Sequence, residues 1–324
     1  MAQGERKGVD RRGFLARGAA AAAAVAVGGR LARAAPSGPT VVICRDKAKK
    51  VIDGFQVDAA IAQRLVDQAV MRLAGKDDVA KAWATFVSPK EKVVVKFNGL
   101  FRRATTHPEV IHAVTRGIIA AGVDPANITV YDRSDKDLRT TGLTMNRDGQ
   151  GVRIYGTQGR YGKGVKAGSV GTKLCQMLLE ADALVNVPIM KSHVRCSVTG
   201  AMKNHLGTVP NAGAFHADFC SAIADLNALP EIRKKTRVCI CDALYGLFDG
   251  GPQFRPNARW DYGGVLAAVD PVAMDATLDE IIRAKRVEKG LKPRHNDPRY
   301  IARAAELGLG EATLANIQRV EMEV

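Results

Sequence analysis

Short β-rich segments alternate with amphipathic helical segments along most of this chain, and this alternation limits the possible folds more than any other feature. Apolar residues recur at helical spacing in five segments: 56–74, 108–121, 172–181, 215–229 and 271–284. The strand-like runs lie at 40–44, 92–97, 128–131, 152–155, 183–189, 237–240 and 265–269. Such an order predicts an α/β fold with a largely parallel sheet flanked by helices.

The length and composition are those of an ordinary globular protein. The chain has 324 residues, of which 46% are apolar and 25% charged, so it can bury a substantial core. We predict a single α/β domain over residues 35–324. Residues 132–171, rich in Gly, Thr, Arg and Asp, are expected to form an irregular excursion or a small inserted lobe, and residues 246–264 a second long loop.

Residues 1–34 have the pattern of an export signal and are left out of the predicted fold. Arg11 and Arg12 precede a weakly apolar, Ala-rich run at 19–27, and Ala32 and Ala34 suit cleavage by signal peptidase. The run is shorter than the roughly 20 residues that span a bilayer. We predict a twin-arginine signal peptide, the twin-arginine export machinery as a partner, a periplasmic location and no permanent membrane span. An uncleaved N-terminal helix is the alternative.

The chain is strongly basic, with a formal net charge of +15 at neutral pH. Residues 1–34 hold seven Lys or Arg and two acidic residues, which leaves about +10 on the rest. The basic residues are scattered and only 5% of residues are aromatic, a pattern untypical of nucleic-acid binding. The charge therefore favours a small anionic ligand or an anionic surface, and no nucleic acid is expected.

The cysteines do not have the spacing of a metal cluster. There is no C-x-x-C pair, and Cys239 and Cys241 share one face of a predicted strand, so no ferredoxin-type iron–sulfur cluster is expected. Six cysteines would suit disulfides in an oxidising compartment, but a chain that folds in the cytoplasm need not form them. Buried, unpaired cysteines are the favoured interpretation of this set: Cys44, Cys175, Cys196, Cys220, Cys239 and Cys241.

Polar side chains stand at or just beyond the ends of several predicted strands. The carboxyl ends of parallel strands form the ligand-binding edge of an open α/β sheet, so these side chains are expected to converge there. An alternative is that polar residues simply mark where strands stop, which explains Asp270 best because it also suits a helix cap. The residues are Lys96, Asn98, Asp132, Lys191, His193, Asp242 and Asp270.

Residues 183–207 join an apolar strand to an unusually dense set of basic and polar side chains. Buried Lys and His are costly unless they are paired, so this density indicates a cleft that meets an anion or a metal, and a solvated loop is the alternative. For Lys96, Lys191 and Lys203, anchoring of an anion is favoured over Schiff-base catalysis. Histidine supplies either an acid/base group or a metal ligand.

These considerations give three predicted sets of site residues. Catalytic roles are predicted for Lys191, His193 and His205. Metal binding is predicted for His193, His205 and His216, although their spacing matches no compact zinc motif. A ligand or cofactor site is predicted from Lys96, Asn98, Lys191, Thr199, Gly200, Lys203 and Asn204. The turn around Thr199 and Gly200 suits an anion but lacks P-loop spacing, and the chain has no G-x-S-x-G elbow.

The same residues carry a family resemblance. VVVKFNG at 93–99, THPEV at 106–110, KSHVRCSVTGAMKN at 191–204 and DPVAMDA at 270–276 occur in order. The chain resembles the bacterial and archaeal family known as domain of unknown function 362, many members of which carry ferredoxin-type cysteine clusters that this sequence lacks. The family is distantly similar to the nickel-pincer lactate racemase superfamily, whose α/β lobes hold a nucleotide-derived cofactor with lysine and histidine.

The resemblance raises the expectation of a metal or a nucleotide-derived cofactor at Lys191, His193, Lys203 and His205. Together with the basic charge, it predicts an exported, cofactor- or metal-dependent enzyme, an oxidoreductase or isomerase, that acts on a small anionic substrate. Two alternatives remain open from the sequence: a non-catalytic periplasmic binding protein for an anionic metabolite, and an assembly factor for exported redox enzymes.

Overall fold

A computed structural model of the chain describes residues 38–324, so the predicted signal peptide lies outside the described residues. The strands are β1 (Thr40–Arg45), β2 (Ile52–Asp53), β3 (Gln56–Val57), β4 (Val93–Phe97), β5 (Ile128–Tyr131), β6 (Arg153–Ile154), β7 (Tyr161–Ala167), β8 (Val170–Cys175), β9 (Ala183–Val187), β10 (Ile189–His193), β11 (Ser197–Thr199), β12 (Thr236–Leu247), β13 (Arg259–Ala268) and β14 (Gln318–Glu323).

The helices fall largely between the strands, as the alternation in the sequence requires. They are α1 (Ala59–Ala74), α2 (Val79–Trp83), α3 (Pro108–Ala120), α4 (Asp135–Leu138), α5 (Gln176–Glu180), α6 (Ala201–Asn204), α7 (Ala222–Ala228), α8 (Pro230–Arg233), α9 (Pro271–Glu288) and α10 (Arg299–Glu306). Short 3₁₀ turns lie at Pro125–Asn127, His205–Thr208, Ala212–His216, Asp218–Cys220, Pro256–Ala258 and Leu314–Asn316.

The main sheet has ten strands, eight of them in the order β14-β1-β13-β12-β9-β4-β5-β6. The block from β12 to β6 is parallel throughout, and β13 runs antiparallel to both its neighbours. After Pro188 the chain continues from β9 into β10, which pairs with the second half of β12, and β11 folds back on β10. The prediction of an α/β fold with a largely parallel sheet is confirmed.

Both faces of the sheet are buried, which explains the unbroken apolar runs of its central strands. Val93 and Val95 of β4 pack on one side with residues of α1 and α3, whereas Val94 faces the other side with residues of α7 and α9. Such strands leave polar side chains room only at their ends. The described residues contain no helix that is long and apolar enough to cross a membrane.

Local signals in the sequence set the ends of the long helices. Asp58 caps α1 by accepting from the backbone N–H groups of Ala60 and Ile61, and Gly75 ends the helix in a left-handed conformation with φ of 63°. Helix α9 begins with Asp270 as its cap and Pro271 in its first turn. These caps fix the residues at which the helices begin or end, and the buried apolar side chains of the helices pack against the sheet.

Three local predictions were wrong. Residues 172–181 are not one helix: β8 pairs with β7 in a hairpin that turns at Gly168, and only Gln176–Glu180 is helical. Residues 246–264 are not one loop, because pairing of Tyr245 with Asp261 extends both β12 and β13 into that range. In the predicted helix at 215–229, only Ala222–Ala228 is α-helical. In each case pairing or packing with distant residues outweighs the local pattern.

Candidate functional site

A cavity of about 220 Å³ lies at the carboxyl edge of the sheet, where β4, β5 and β10 end. Parallel pairing sets Lys96 of β4 beside Tyr131 of β5, so Lys96 and the following Asp132 reach the same edge. Eight of the predicted site residues line the cavity: Lys96, Asn98, Lys191, His193, Thr199, Lys203, Asn204 and His216. Gly200 and His205 do not line it.

Lys96 is the buried cation at the floor of this cavity and is 1% exposed. Its ammonium pairs with Asp132 Oδ1 at 2.8 Å and donates to Asn204 Oδ1 at 3.2 Å and to the carbonyl oxygen of Phe97. Burial lowers the pKa of Lys96, and the Asp132 carboxylate opposes that shift. Three acceptors satisfy all three N–H groups, so Lys96 has no donor left for a ligand.

Lys191 is also fully engaged by the protein. Its ammonium donates to Asn98 Oδ1 at 3.0 Å and to the carbonyl oxygens of Leu100 and Ala104 at 3.3 and 2.6 Å. Burial, followed by repulsion from Lys203, lowers the pKa of Lys191 to about 7. These three contacts make Lys191 the residue that organises the loop from Asn98 to Ala104 along one wall of the cavity.

Lys203 differs from the other two lysines because its ammonium has neither a hydrogen bond nor an ion pair among residues 38–324. The side chain is half-buried and lines the cavity from α6. Burial lowers the pKa of Lys203 to about 7. A second unpartnered group lies on the same cavity wall, because the buried hydroxyl of Thr199 has no hydrogen-bond partner within the described part of the chain. Lys203 and Thr199 are therefore two lining groups with donors free for a ligand.

Two imidazole rings, those of His193 and His216, stack in the cavity wall with centroids 5.3 Å apart. His193 Nδ1 accepts from the backbone N–H groups of Arg195 and Cys196, both at 3.2 Å, so the proton of the neutral ring is on Nε2. His216 Nδ1 lies 3.0 Å from the Ala212 carbonyl oxygen and must donate to it, which leaves a lone pair on Nε2. The two neutral rings therefore have opposite tautomers.

Both rings are neutral over the physiological range. Burial, followed by the charge of Lys203, lowers the pKa of His193 to about 2 and that of His216 to about 4. The pair thus combines a neutral N–H donor on His193 with a neutral nitrogen acceptor on His216. A neutral imidazole N–H of this kind can donate a hydrogen bond to developing negative charge, and the nitrogen of the other ring can accept a proton.

The donor groups near these rings do not suit a metal ion as they stand. His193, Cys196 and His216 place one candidate ligand atom each within 4.8 Å of one another. However, Cys196 forms a disulfide with Cys220, His193 Nδ1 is occupied by two N–H donors, and Lys203 adds a positive charge nearby. A ligand set of this kind would have to give up existing hydrogen bonds and face a cation.

His205 lies apart from the stacked pair. It is fully buried, and its Nδ1 is 2.7 Å from Asn227 Oδ1. Asn227 Nδ2 donates to the carbonyl oxygens of Met202 and Ile223, so its oxygen faces the ring and His205 Nδ1 is the donor. Burial lowers the pKa of His205 to about 4. His205 therefore helps to connect α6 with α7 rather than lining the cavity.

Asp275 of α9 is a buried carboxylate that the site prediction missed, and it holds α6 in place. It accepts from the backbone N–H groups of Ala201 and Met202, and from the Tyr300 hydroxyl at 3.1 Å. Burial raises the pKa of Asp275 to about 7. Position 200, just before α6, is occupied by glycine because a Cβ there would lie 2.1 Å from Asp275 Oδ1. Asp275 thereby positions the short helix that bears Lys203.

Close packing at the site also requires a glycine at position 207. A Cβ at this position would lie 2.0 Å from Asp132 Oδ1 and 2.5 Å from Lys96 Cε, so only glycine lets the backbone approach the buried ion pair. The sequence marks Gly207 as a turn residue but does not show what it packs against.

A buried histidine–aspartate pair supports the loop on the far side of the cavity. His107 Nδ1 and the His107 backbone N–H both lie 2.7 Å from Asp242 Oδ2. Although burial works against the charged ring, the Asp242 carboxylate raises the pKa of His107. Sequence analysis placed Asp242 just beyond a strand, whereas it lies in the middle of the longer strand β12. Its role is to anchor the start of α3.

The cysteines divide into one pair and four single residues. Cys196 and Cys220 form a disulfide, so the interpretation of all six cysteines as unpaired was wrong for these two, which folding brings together from 24 residues apart. The other four are buried thiols, as the favoured interpretation proposed: Cys44, Cys175, Cys239 and Cys241.

A family model described as a domain of unknown function, DUF362, matches residues 93–278, which is more than half of the chain. The chain belongs to this family. The matched DUF362 segment begins with β4 and ends within α9, and it includes the eight predicted residues that line the cavity. The family membership expected from the sequence is therefore confirmed.

Among curated proteins, the chain is similar to the thylakoid-associated protein sll1697 of Synechocystis sp., with 25% identity over 213 residues. The alignment covers 61% of this chain and 65% of the relative, so the chain spans slightly less than two thirds of that protein's length.

Two solved structures are also similar to this DUF362 protein. One is a protein from Thermotoga maritima, with a TM-score of 0.43, 11% identity, and coverage of 74% of this chain and 61% of the other. The second is the lactate racemase apoprotein of Thermoanaerobacterium thermosaccharolyticum, with a TM-score of 0.37, 10% identity, and coverage of 70% and 53%. Similarity this low carries no argument about the activity or the site residues of this chain.

The nucleotide-derived nickel cofactor that the resemblance in sequence implied does not fit the cavity. The cavity volume, about 220 Å³, is below the roughly 300–1,000 Å³ of pockets that bind drug-sized ligands. Lys96 and Lys191 already use their donors on protein oxygens, and His193 Nδ1 is occupied by backbone N–H groups. The free groups suit a small anion better than a cofactor of that size.

Proposed function

We propose that the cavity is the substrate site of an exported enzyme that acts on a small anion, such as a carboxylate or phosphate, by proton transfer. The observation that carries this proposal is the Lys203 ammonium, which faces the cavity without a protein partner among the described residues. All three N–H donors of this ammonium are free for a ligand, and an anion would form charge-assisted hydrogen bonds with them. The Thr199 hydroxyl offers a second donor on the same wall.

The charge balance of the cavity supports an anionic ligand. Four basic side chains and one carboxylate line it, and the carboxylate, Asp132, is already paired with Lys96. Arg133 pairs with Asp137 at 3.2 Å near the surface, which leaves Lys191 and Lys203 as the two lining cations without a carboxylate partner. Lys191 is satisfied by neutral oxygens, so Lys203 is the one of the two that also lacks hydrogen-bond acceptors among the described residues. A singly or doubly charged anion would balance this excess of positive charge.

The opposite tautomers of His193 and His216 favour catalysis over binding alone. An isomerase that moves a proton at a carbon needs a base and a donor that stabilises the negative charge that develops. His216 Nε2 would take the proton from the carbon and return it, and the neutral His193 Nε2–H would donate a hydrogen bond to the developing charge, with the anion held by Lys203 between the loop from Asn98 and α6. This proposal keeps the isomerase hypothesis from the sequence and assigns no step to a cofactor.

Export is part of the proposal and rests on Arg11, Arg12 and the Ala-rich segment that follows. A periplasmic location suits a chain with a disulfide, because that compartment favours oxidised thiols. Replacing Arg11 and Arg12 by Lys should retain the protein in the cytoplasm, as measured by fractionation of cells that express the full chain. Equal periplasmic yield of both forms would contradict export by this route.

Anion binding is tested by isothermal titration with sulfate and with phosphate. Lys203→Met should weaken binding of both anions by at least about tenfold, since it removes a charged hydrogen bond worth roughly 1.5–3 kcal/mol. Lys81→Met, at an exposed lysine of α2, is the matched control and should bind both anions like the parent protein. Equal binding by all three proteins would overturn the proposed anchor.

Catalysis is tested by deuterium incorporation from D₂O into a panel of 2-hydroxy- and 2-aminocarboxylates, beginning with lactate. His216→Gln should retain sulfate binding and lose the exchange of any carboxylate that the parent protein labels. If the parent protein labels no member of the panel but still binds anions, the result favours the non-catalytic binding protein.

A further inference from the structure

The Cys196–Cys220 disulfide joins the two segments that carry the stacked histidines. Cys196 follows His193 in the turn between β10 and β11, and Cys220 follows His216 at the end of the next 3₁₀ turn. The backbone N–H of Cys196 also donates to His193 Nδ1 at 3.2 Å. The disulfide and the stacked rings therefore connect the same two segments of the chain.

The backbone that leads to Cys220 has an unfavourable conformation. Asp218, Phe219 and Cys220 have φ values of 43°, 49° and 68°, so three consecutive non-glycine residues occupy the left-handed region. Single L-residues visit this region, but runs of them are rare because Cβ approaches the carbonyl oxygen. Such a run persists only where other bonds hold it.

The side-chain contacts of Asp218 and Phe219, the first two residues of this run, are weak. Asp218 pairs with Arg299 at 2.6 Å, but both side chains are more than half exposed, and Phe219 is 44% exposed beneath the same guanidinium. Exposed ion pairs of this kind contribute little to the stability of the folded state. Phe215, which is fully buried, anchors the segment on one side of His216, and the disulfide anchors it on the other.

We infer that the Cys196–Cys220 disulfide is a positioning element that holds His216 against His193, so that the imidazole pair is completed by oxidation of these two thiols. The inference rests on the proposed function in one respect: His216 matters to the reaction only if the pair transfers a proton. For a protein that folds in the reducing cytoplasm and is then exported, the pair would be completed after export.

The oxidation is a thiol–disulfide exchange with a protein that carries a reactive disulfide. One S–S bond forms between Cys196 and Cys220, and one S–S bond breaks in the oxidising partner. The two protons and two electrons lost by the cysteine thiols are taken up by the partner, which leaves with two thiols.

The test follows the imidazole ¹⁵N signals of His216 at neutral pH in the oxidised protein and after reduction with dithiothreitol, assigned with His216→Gln. The oxidised protein should show one tautomer, with the proton on Nδ1. After reduction the two nitrogen signals should move toward those of a free imidazole ring, in which both tautomers are populated. The double variant Cys196→Ser/Cys220→Ser should match the reduced form and should not respond to dithiothreitol.

Amide hydrogen exchange distinguishes a local effect of reduction near His216 from a loss of stability throughout the fold. Exchange should accelerate by at least about tenfold at residues 217–221 and remain unchanged in β4, β5 and β9. Unchanged His216 signals in both reduced forms would overturn the inference. So would faster exchange throughout the chain, which would make the disulfide a general support of the fold.

Sulfate titration separates this inference from the proposed function. Sulfate binding depends on Lys203 and should persist in the reduced protein within about twofold. If the oxidised protein fails to bind sulfate while His216 still responds to reduction, the proposed function fails and the positioning role stands. If sulfate binds and His216 does not respond, the positioning role fails alone.

Discussion

The pKa of Lys203 leads to a quantitative prediction about anion affinity. Burial lowers that pKa to about 7, and an anion binds the charged form. With a pKa near 7, about nine tenths of the ammonium is charged at pH 6 and about one tenth at pH 8. The dissociation constant should therefore rise about tenfold between these pH values, which corresponds to about 1.4 kcal/mol of binding free energy.

The direction of the effect follows from linkage. A bound anion stabilises the charged lysine and raises its pKa, so binding above pH 7 must take up a proton and becomes weaker as pH rises. His193 and His216, with pKa values of about 2 and about 4, stay neutral throughout this range. Sulfate is the suitable probe because it remains a dianion from pH 6 to pH 8.

The assay is isothermal titration with sulfate across this pH range, in buffers of different ionisation enthalpy so that proton uptake is measured directly. Lys203→Arg is the decisive variant, because guanidinium stays charged and should bind sulfate with little dependence on pH. Lys191 has a pKa of about 7 as well. A tenfold pH effect that persists in Lys203→Arg would assign the titration to Lys191 and refute the argument made for Lys203.

Three further predictions concern the groups that support the site. Gly207→Ala should lower the free energy of unfolding by about 1–3 kcal/mol in urea titrations and weaken sulfate binding, because its Cβ would overlap the Lys96–Asp132 pair. The control is Gly213→Ala, at a cavity position with open space for a Cβ, which should change neither quantity. Asp132→Asn should cost about 3 kcal/mol of unfolding free energy, since it leaves the buried Lys96 ammonium without its counter-charge, and a loss below about 1 kcal/mol would contradict a buried pair. Burial raises the pKa of Asp275 from 3.8 to about 7, so the folded state holds that proton more tightly than the unfolded state. The free energy of unfolding should therefore fall as pH rises from about 4 to 7, by at most about 4 kcal/mol. The Asp275→Asn variant should lack this decrease when its pH profile is compared with that of the parent protein.

The fold class followed from local patterns, while several element boundaries did not. The run at 128–131 is β5 as predicted, and the helix predicted at 108–121 ends one residue earlier, because caps and apolar periodicity specify such elements locally. Strand β12 extends to Leu247, well beyond the predicted end at residue 240, because its partners β10 and β13 pair with its second half. No local pattern contains that information.

The composition of the candidate site was partly predictable. Lys96 lies in β4, Lys191 and His193 in β10, and Lys203 in the short helix α6. The structure brings all four to one cavity. The sequence could not separate His216 from His205, since both follow the same strand within a few turns. Their places depend on Asn227, which bonds His205 from α7, and on the disulfide near His216.

The sequence by itself determined the α/β alternation, the family and the set of basic residues at the carboxyl edge of the sheet, because these depend on periodicity and on the order of elements. Only the tertiary structure decided which of the three lysines is free to bind a ligand. Hydrogen bonds have direction and a fixed number of donors, and the acceptors that satisfy Lys191 come from Asn98, Leu100 and Ala104, about 90 residues away in the chain. Lys203 is left without such acceptors in the described part of the chain, and this difference, invisible in the sequence, makes it the anchor of the proposed anion site.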